Sequence, residues 1–336
     1  MRKIISTAQF SFYRSKKNNG GCIHKMKFYY GVENNYLDIT VLVILNCIVD
    51  GIITILENDI YRSNLFTDPI YGTLKHIKYI DNNGNEFMIT SSQCMFINLE
   101  DGEIIGKHLL RNKFWQKCGK YIEGQESRLK YLHKYIDIDH GDINGELPEQ
   151  LMTVKYLSED AKVLEIGGNI GRNSCIIASI LKDDKNLVVL ESHPEFYKQL
   201  EHNKNLNVFN FNIENSALSM VPLIQNHWIT QVSSEVPDGW IRVDTITFED
   251  LEKKYNIQFD TLVLDCEGAF YQILKDNPSC LTNINMVIIE NDFFEIEKKT
   301  FVDETLAKYN LKSIYKEAGG WGPCYSMFYE VFKKIT

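Results

Sequence analysis

No C-x-x-C pair and no Cys/His spacing of the kind that holds zinc occurs anywhere in the 336 residues. The eight cysteines (Cys22, Cys47, Cys94, Cys118, Cys175, Cys266, Cys280 and Cys324) are scattered, which argues against a zinc site and against a disulfide framework. They read as reduced thiols, mostly in packed positions. Long apolar runs are missing too. The longest, Leu37 to Leu56, is broken by Asp38, Asn46, Asp50 and Gly51 and falls short of the ~20 clean residues of a membrane helix. It reads as two buried strands. The opening MRKIISTAQFSFYRSKKNNGG has no apolar run of signal-peptide length and no small-residue cleavage site. The expected compartment is therefore the cytoplasm, or a host's cytoplasm if the Ile- and Asn-rich bias reflects the AT-rich genome of a large DNA virus. Basic charge is short in the second part: residues 1–135 carry 18 Lys and Arg against 13 Asp and Glu, residues 136–336 carry 18 against 32. So acidic a C-terminal part repels phosphate backbones, so no nucleic-acid partner is expected, and no membrane partner either.

What is present divides in two. From Lys25 to about Asn98, β-branched and aromatic runs (LDITVLVIL, GIITILE, HIKYI, EFMIT) alternate with turn signals at Asp68-Pro69, Gly72, Asn83-Gly84 and Glu100-Asp101-Gly102. Short strands at this spacing predict a small all-β domain, residues 1–112, without a catalytic cluster. A basic segment, Lys113–Lys134, reads as a solvated helix face, and with the polar DIDHGDINGELPEQ it makes residues 113–148 a helical and polar connection.

From residue 149 to 336 the rhythm becomes strand, helix, strand. Strands are expected at Lys162–Ile166, Leu187–Glu191, Asn207–Asn212, Asp260–Asp265, Asn285–Glu290, Leu311–Tyr315 and Tyr325–Phe332. Helices are expected at Asn173–Leu181, Glu195–Asn203, Thr247–Lys254, Ala269–Lys275 and Val302–Lys308. Buried apolar strands alternating with helices specify an α/β fold, a doubly wound, mostly parallel sheet of seven strands. The last two strands suit an antiparallel hairpin at its edge.

The first of these strands runs into VLEIGGNIGRNS, where Glu165, Gly167, Gly168, Asn169 and Gly171 lead straight into a helix. Glycine allows the tight turn and the close approach of backbone to a ligand. The dinucleotide fingerprint is G-x-G-x-x-G, aimed at a pyrophosphate. Here the order is G-G-x-x-G with a carboxylate two residues ahead. Such a carboxylate repels a pyrophosphate and accepts from an ammonium, the group at the amino acid end of S-adenosylmethionine. Glu191, ending the next strand, suits both ribose hydroxyls, with Ser192 beside it and Asn215, Ser216 and Ala217 by the adenine. A turn that merely packs strand on helix is the plainer reading.

Asp265 closes the fourth strand in DTLVLDCEGAFYQIL, Glu267 follows, and Glu290 closes the fifth in MVIIEND. Three carboxylates should thus converge on one cleft, suited to general-base work or to contact with a cation. A divalent metal is conceivable there, but no His stands at ligand spacing and no metal ligand is assigned. Asp265 as a mere helix cap is the alternative. His193, His227, Trp228 and Trp321 lie near the expected cleft without a defined role.

From about Gly145 to Lys333 the chain resembles the FkbM family of S-adenosylmethionine-dependent methyltransferases, through LEIGGNIGRNS, RVDTITFEDL and LVLDCEGAFYQIL. The resemblance implies a Rossmann-like class I methyltransferase sheet and O-methylation of a hydroxyl on a sugar, glycan or similar small molecule. Asp265 or Glu267 would then be the base, with Glu290 in reserve. Val263 stands where that family usually has Lys, Phe270 where it has a second Glu, and Gly168 where Ala is common. The N-terminal YGVENNYLDIT and LFTDPIYGTLKHIKYI are similar to a small β domain of unknown function found in some DnaJ-type co-chaperones, a likeness of turns and packing. A nicotinamide-dependent sugar-modifying enzyme is one rival, although neither G-x-G-x-x-G nor Tyr-x-x-x-Lys is evident. A non-catalytic glycan- or protein-binding module is the other. The oligomeric state is not legible.

Overall fold

The structure, a computed structural model, describes residues 25–33, 35–49, 51–56, 59–91, 95–99, 102–105 and 122–335. Cys22, Cys94, Cys118, the Glu100-Asp101 part of one turn and the start of the basic segment lie outside these residues. The five described cysteines are all free; Cys266 is half-buried and the other four are buried. None of the described helices is long and apolar enough to cross a membrane. The chain forms two units, the first ending at Lys107.

In the first unit, β1 (Lys27–Val32), β2 (Asn35–Asp38), β5 (His76–Ile80) and β6 (Glu86–Ile89) form a sheet in the order β2-β1-β5-β6. β3 (Ile48–Val49), β4 (Ile52–Ile55) and β7 (Met95–Asn98) form a second. Among the described residues two helices, α1 (Thr40–Asn46) and α2 (Asp59–Phe66), pack with them, so the unit is not wholly β. The correction falls on LDITVLVIL. Its β-branched residues suggest a strand, yet the Asp38 carboxylate accepts from the Thr40 N–H at 2.9 Å and opens a turn. Ile39, Val43 and Cys47 are buried while Val41 and Leu45 are exposed, a spacing of four that only a helix satisfies. The turn at Asp68-Pro69 is present: the Ile70 N–H donates to Asp68, and Asp68 with Asp59 neutralises the buried Lys75.

The second unit is built on β8 (Val163–Ile166), β9 (Leu187–Leu190), β10 (Asn212–Glu214), β16 (Thr261–Leu264), β17 (Met286–Glu290), β18 (Leu311–Glu317) and β19 (Tyr329–Lys334), in the order β10-β9-β8-β16-β17-β19-β18. The first five run parallel, and β19 enters antiparallel between β17 and β18. Helices α3 (Gln125–His133), α4 (Leu147–Tyr156), α5 (Arg172–Ile180), α6 (Pro194–Leu206), α7 (Phe248–Tyr255), α8 (Phe270–Asp276) and α9 (Ile296–Lys308) accompany it. Side chains that alternate along the strands feed two cores. Leu164, Ile166, Leu262 and Leu264 enter one, Val163, Val189, Val263 and Ile288 the other.

Three expectations shift. The stretch 207–211 is not a strand, because its amides are bonded outside any ladder: Phe209 N–H to the Lys204 carbonyl and Asn210 N–H to the Asp184 carboxylate. Residues Gly322–Met327 form a 3-10 turn, so the last strand begins at Tyr329. The segment read as a connection is part of the second unit's packing, since Leu129, Leu132 and Ile136 lie in its core. Between β10 and β16 the chain adds a parallel pair, β11 (Ala217–Leu218) with β15 (Thr245–Ile246), and an antiparallel sheet of β12 (Leu223–Asn226), β13 (Ile229–Val232) and β14 (Ile241–Val243). The strand order reverses between β8 and β16, and a doubly wound sheet binds its ligand at the carboxyl ends beside such a reversal.

Candidate active site

β8 leads directly into the glycine turn. Gly167 has φ +91, and a Cβ there would lie 1.6 Å from the Asp265 carbonyl oxygen, so only glycine lets this turn pass the end of β16. A Cβ on Gly168 would meet Val189 at 2.3 Å. Gly171 (φ +92) faces the Leu200 side chain of α6 and lines neither of the two cavities beside the turn. Its requirement is thus packing and backbone conformation.

The Glu191 carboxylate ties this turn to the end of β9. One oxygen accepts from the Asn169 N–H and the other from the His193 N–H, both at 2.7 Å. Burial pushes Glu191 up to about 7 against those two bonds. The Asn215 amide donates to the carbonyls of Glu191 and Ser192, and the Ser192 hydroxyl donates to Gln225. Asn215 therefore supports the strand end from behind, while Ser192, Ser216 and Ala217 line a cleft of about 110 Å3 with Gly167, Asn169, Glu191 and Asp265. Ser216 is buried and its hydroxyl has no hydrogen-bond partner.

Glu165 points to the other side of the turn. It is buried, one of its oxygens is unpartnered, and burial, with Glu146 and Glu191 nearby, pushes it up to about 8. It borders a cavity of about 10 Å3 together with Glu146, Glu149, Asp265 and Glu290, room for a single water. Glu146, in a left-handed conformation (φ +60) at the start of α4, accepts from Arg172 at 2.5 Å and from the Asn169 side chain at 3.2 Å. Asp265 is held well above the ordinary carboxylate range by burial and by the surrounding acids; Glu290 is raised by burial and by contact with Glu149. Asp292, buried two residues past β17, is pushed up to about 7 by burial. Asn291 between them is anchored to the Met327 carbonyl and to Glu330, and Glu330 is paired with the buried Lys299 at 2.8 Å.

Of the three expected carboxylates, Asp265 and Glu290 come together with Asp292, and Glu267 turns elsewhere. Glu267 is exposed, has φ +52, and lines both the cleft and an adjoining cavity of about 610 Å3. Leu218, Trp228, Thr230, Tyr271, Phe294 and Lys298 also line the larger cavity. Trp228 stacks on Phe196 of α6 with ring centroids 4.7 Å apart. His193 caps α6, its Nδ1 accepting from the Glu195 N–H, and the His227 carbonyl accepts from Gln225. Trp321 packs against Phe294 and Phe328. Val263 and Phe270 are core residues. Glu146, Glu149 and Asp292 were missed; the first two sit in a stretch of turn-forming residues, and only the END that follows β17 hinted at the third.

Residues 165–313 match the family model of the methyltransferase FkbM domain. A hexuronic acid methyltransferase, AglP, from Haloferax volcanii is 24% identical over 158 residues, which are 44% of this chain and 63% of that protein. The chain thus spans under two thirds of that relative's length. Among solved structures, a ribosomal protein L11 methylase from Lactobacillus delbrueckii subsp. bulgaricus aligns over 59% of this chain and 82% of its own at 12% identity and a TM-score of 0.38. An O-methyltransferase from Bacillus cereus in complex with SAH aligns over 68% and 100% at 14% identity and a TM-score of 0.34. The unpartnered Ser216 hydroxyl, the Glu191 carboxylate and the close backbone at Gly167 border one cleft and fit the nucleoside part of a ligand, while the unpartnered Glu165 oxygen lies behind the turn, on the cavity that admits a single water. Residues 165–313 therefore form an FkbM methyltransferase domain, with S-adenosylmethionine as its cofactor.

Proposed function

We propose that the protein is an O-methyltransferase acting on a hydroxyl of a sugar or glycan. The observation that carries this is the 610 Å3 cavity that opens beside the cofactor cleft and shares Glu267 with it. Glu191 would hold the cofactor's ribose, Ser192, Ser216 and Ala217 would flank the adenine, and Glu165 would meet the ammonium through the single water that its small cavity admits. The cofactor supplies an electrophilic methyl group. The chain's own task is to align an acceptor oxygen and to take its proton. Glu267 is suited to that, because it reaches the larger cavity and Asp265, Glu290 and Asp292 do not line it. Its left-handed backbone, unusual outside glycine, is the kind of strain that persists where a side chain must be aimed. The hexuronic acid named for the Haloferax relative makes uronic acids and their glycosides the first acceptors to try, and Lys298 on the cavity wall offers a cation for a carboxylate.

The test is transfer of a labelled methyl group to a panel of uronic acids, deoxysugars, amino sugars and nucleotide sugars. Methylation of a hydroxyl in any of these supports the reading. Cofactor binding with no transfer to any sugar, but transfer to a non-carbohydrate acceptor, would overturn its acceptor class.

A further inference from the structure

Building on that reading, we propose that Asp265, Glu290 and Asp292 bind a hard divalent cation beside the cofactor cleft. Each offers one carboxylate oxygen, and these oxygens lie within 4.8 Å of one another. Oxygens opposed across a calcium ion stand about 4.6–5.2 Å apart, and across magnesium about 4.0–4.2 Å. Separations of up to 4.8 Å are of the order that a calcium ion bridges, and a smaller ion would need the groups to contract.

Proximity of acids alone would not suffice, but Asp292 adds an independent sign. Its Oδ1 accepts from the Gly268 N–H at 2.8 Å, while Oδ2 is buried with no hydrogen-bond partner, and the residue is 3% exposed. A buried acceptor without a donor is costly and waits for a ligand. The protein provides no counter-charge: among the described residues no Lys, Arg or His pairs with Asp265, Glu290 or Asp292. The basic groups near this end of the sheet are engaged, Arg172 by Glu146 and Lys299 by Glu330 and Asp303.

The donors sit on or just beyond adjacent parallel strands, β16 and β17, and Asn291 pins the loop between the last two. An all-oxygen set without Cys or His selects calcium, magnesium or manganese over zinc or copper. Three protein oxygens fill at most half of the six to eight positions of calcium, leaving the others for water or for acceptor oxygens. Asp265, which also lines the cofactor cleft, would put the ion within reach of that cleft. The assignment takes Asp265 and Glu290 out of proton abstraction and leaves Glu267 for it.

The experiment is titration of the cofactor-free, full-length protein with Mn2+, reading free Mn2+ by electron paramagnetic resonance, with Ca2+ and Mg2+ as competitors. One saturable, competed site per chain is expected, weakened about tenfold or more in Asp292→Asn. Glu290→Gln is the second variant should the first not fold, and the exposed Asp160→Asn should leave binding unchanged. Calorimetry with S-adenosylmethionine on the same samples separates the two ideas. If the cofactor binds but no saturable Mn2+ site appears, with or without it, the cation site is overturned and the methyltransferase reading stands. Mn2+ binding that neither cluster variant weakens also overturns it, whereas a competed site in protein that binds no cofactor keeps the cation site and removes the reading.

Discussion

Glu191 joins two stretches of chain that both border the cofactor cleft, because each of its oxygens already accepts a backbone N–H. Replacing it with alanine should free the glycine turn and remove the ribose acceptor together. S-adenosylmethionine affinity should fall by about 1–3 kcal/mol, roughly 5- to 150-fold. Unchanged calorimetric affinity in a folded variant would remove Glu191 from the cofactor site. Glu267→Gln should behave differently: cofactor affinity stays near normal while turnover falls about 10²- to 10⁴-fold, the usual worth of a general base. Near-normal turnover would pass the proton to another group. Glu165, Gly167 and Glu191 were legible from sequence because the end of an apolar strand fixes where a carboxylate or glycine lands. The opposite holds for Glu146 and Glu149, which reach the site only because α4 packs on the sheet, a tertiary fact that no local spacing carries. The need for glycine at position 171 was legible, but its cause, Leu200, was not.

Among elements, α3 and the extended stretch after it decide how much chain the methyltransferase fold needs. Leu129, Leu132 and Ile136 are core residues, and the Asp137 and Asp139 amides donate to the side chains of Asn207 and Asn203 at the end of α6. Polar turn residues between 137 and 148 made this stretch look like a tether, although its buried side chains lie just before them. A chain beginning at residue 122 should melt cooperatively, and one beginning at residue 139, stripped of three core side chains, should be destabilised by several kcal/mol (~2–5 per large side chain lost from a core). Equal melting points for the two chains would show that α3 is dispensable. The central strands β8, β9, β16 and β17 were readable because burial on both faces fills them mostly with Val, Leu and Ile. β10 was displaced because Phe209 and Phe211 alternate as a strand would, while the backbone between them bonds to Lys204 and Asp184 instead.

At the scale of the molecule, acid burial sets the response to pH. Glu165 and Glu191 are held at about 8 and about 7, above the ordinary 4.5, chiefly by burial, with Glu146 and its partner Arg172 facing Glu165. Between pH ~4.5 and 8 the folded protein keeps protons that the unfolded chain has released, so stability is greatest at the lower end of that window and declines as pH rises through it. The cofactor-free protein should therefore melt lower at pH 8.5 than at pH 5.5, by roughly 5 °C or more, each kcal/mol being worth about 2–4 °C in a domain of this size. Saturating S-adenosylhomocysteine, whose ammonium would favour the ionised Glu165, should flatten the gradient. A melting point that rises with pH in the cofactor-free protein would contradict the burial of these two acids.

The pairing of Lys299 with Glu330 has an effect at a distance from either residue. Glu330 also accepts from Asn291, the residue between Glu290 and Asp292, so a helix on one face of the sheet holds a strut that braces the acidic loop. Lys299→Met leaves the buried Glu330 to the half-exposed Lys316, 3.2 Å away, as its remaining cation and should cost about 3 kcal/mol. Adding Glu330→Met should return most of that stability, yet the brace would be gone and the loop free to drift. Rigidity of the site and robustness of the fold would then be separable by two substitutions, with melting point restored and cofactor-dependent turnover still depressed. If turnover recovers along with melting point, the strut serves the fold alone.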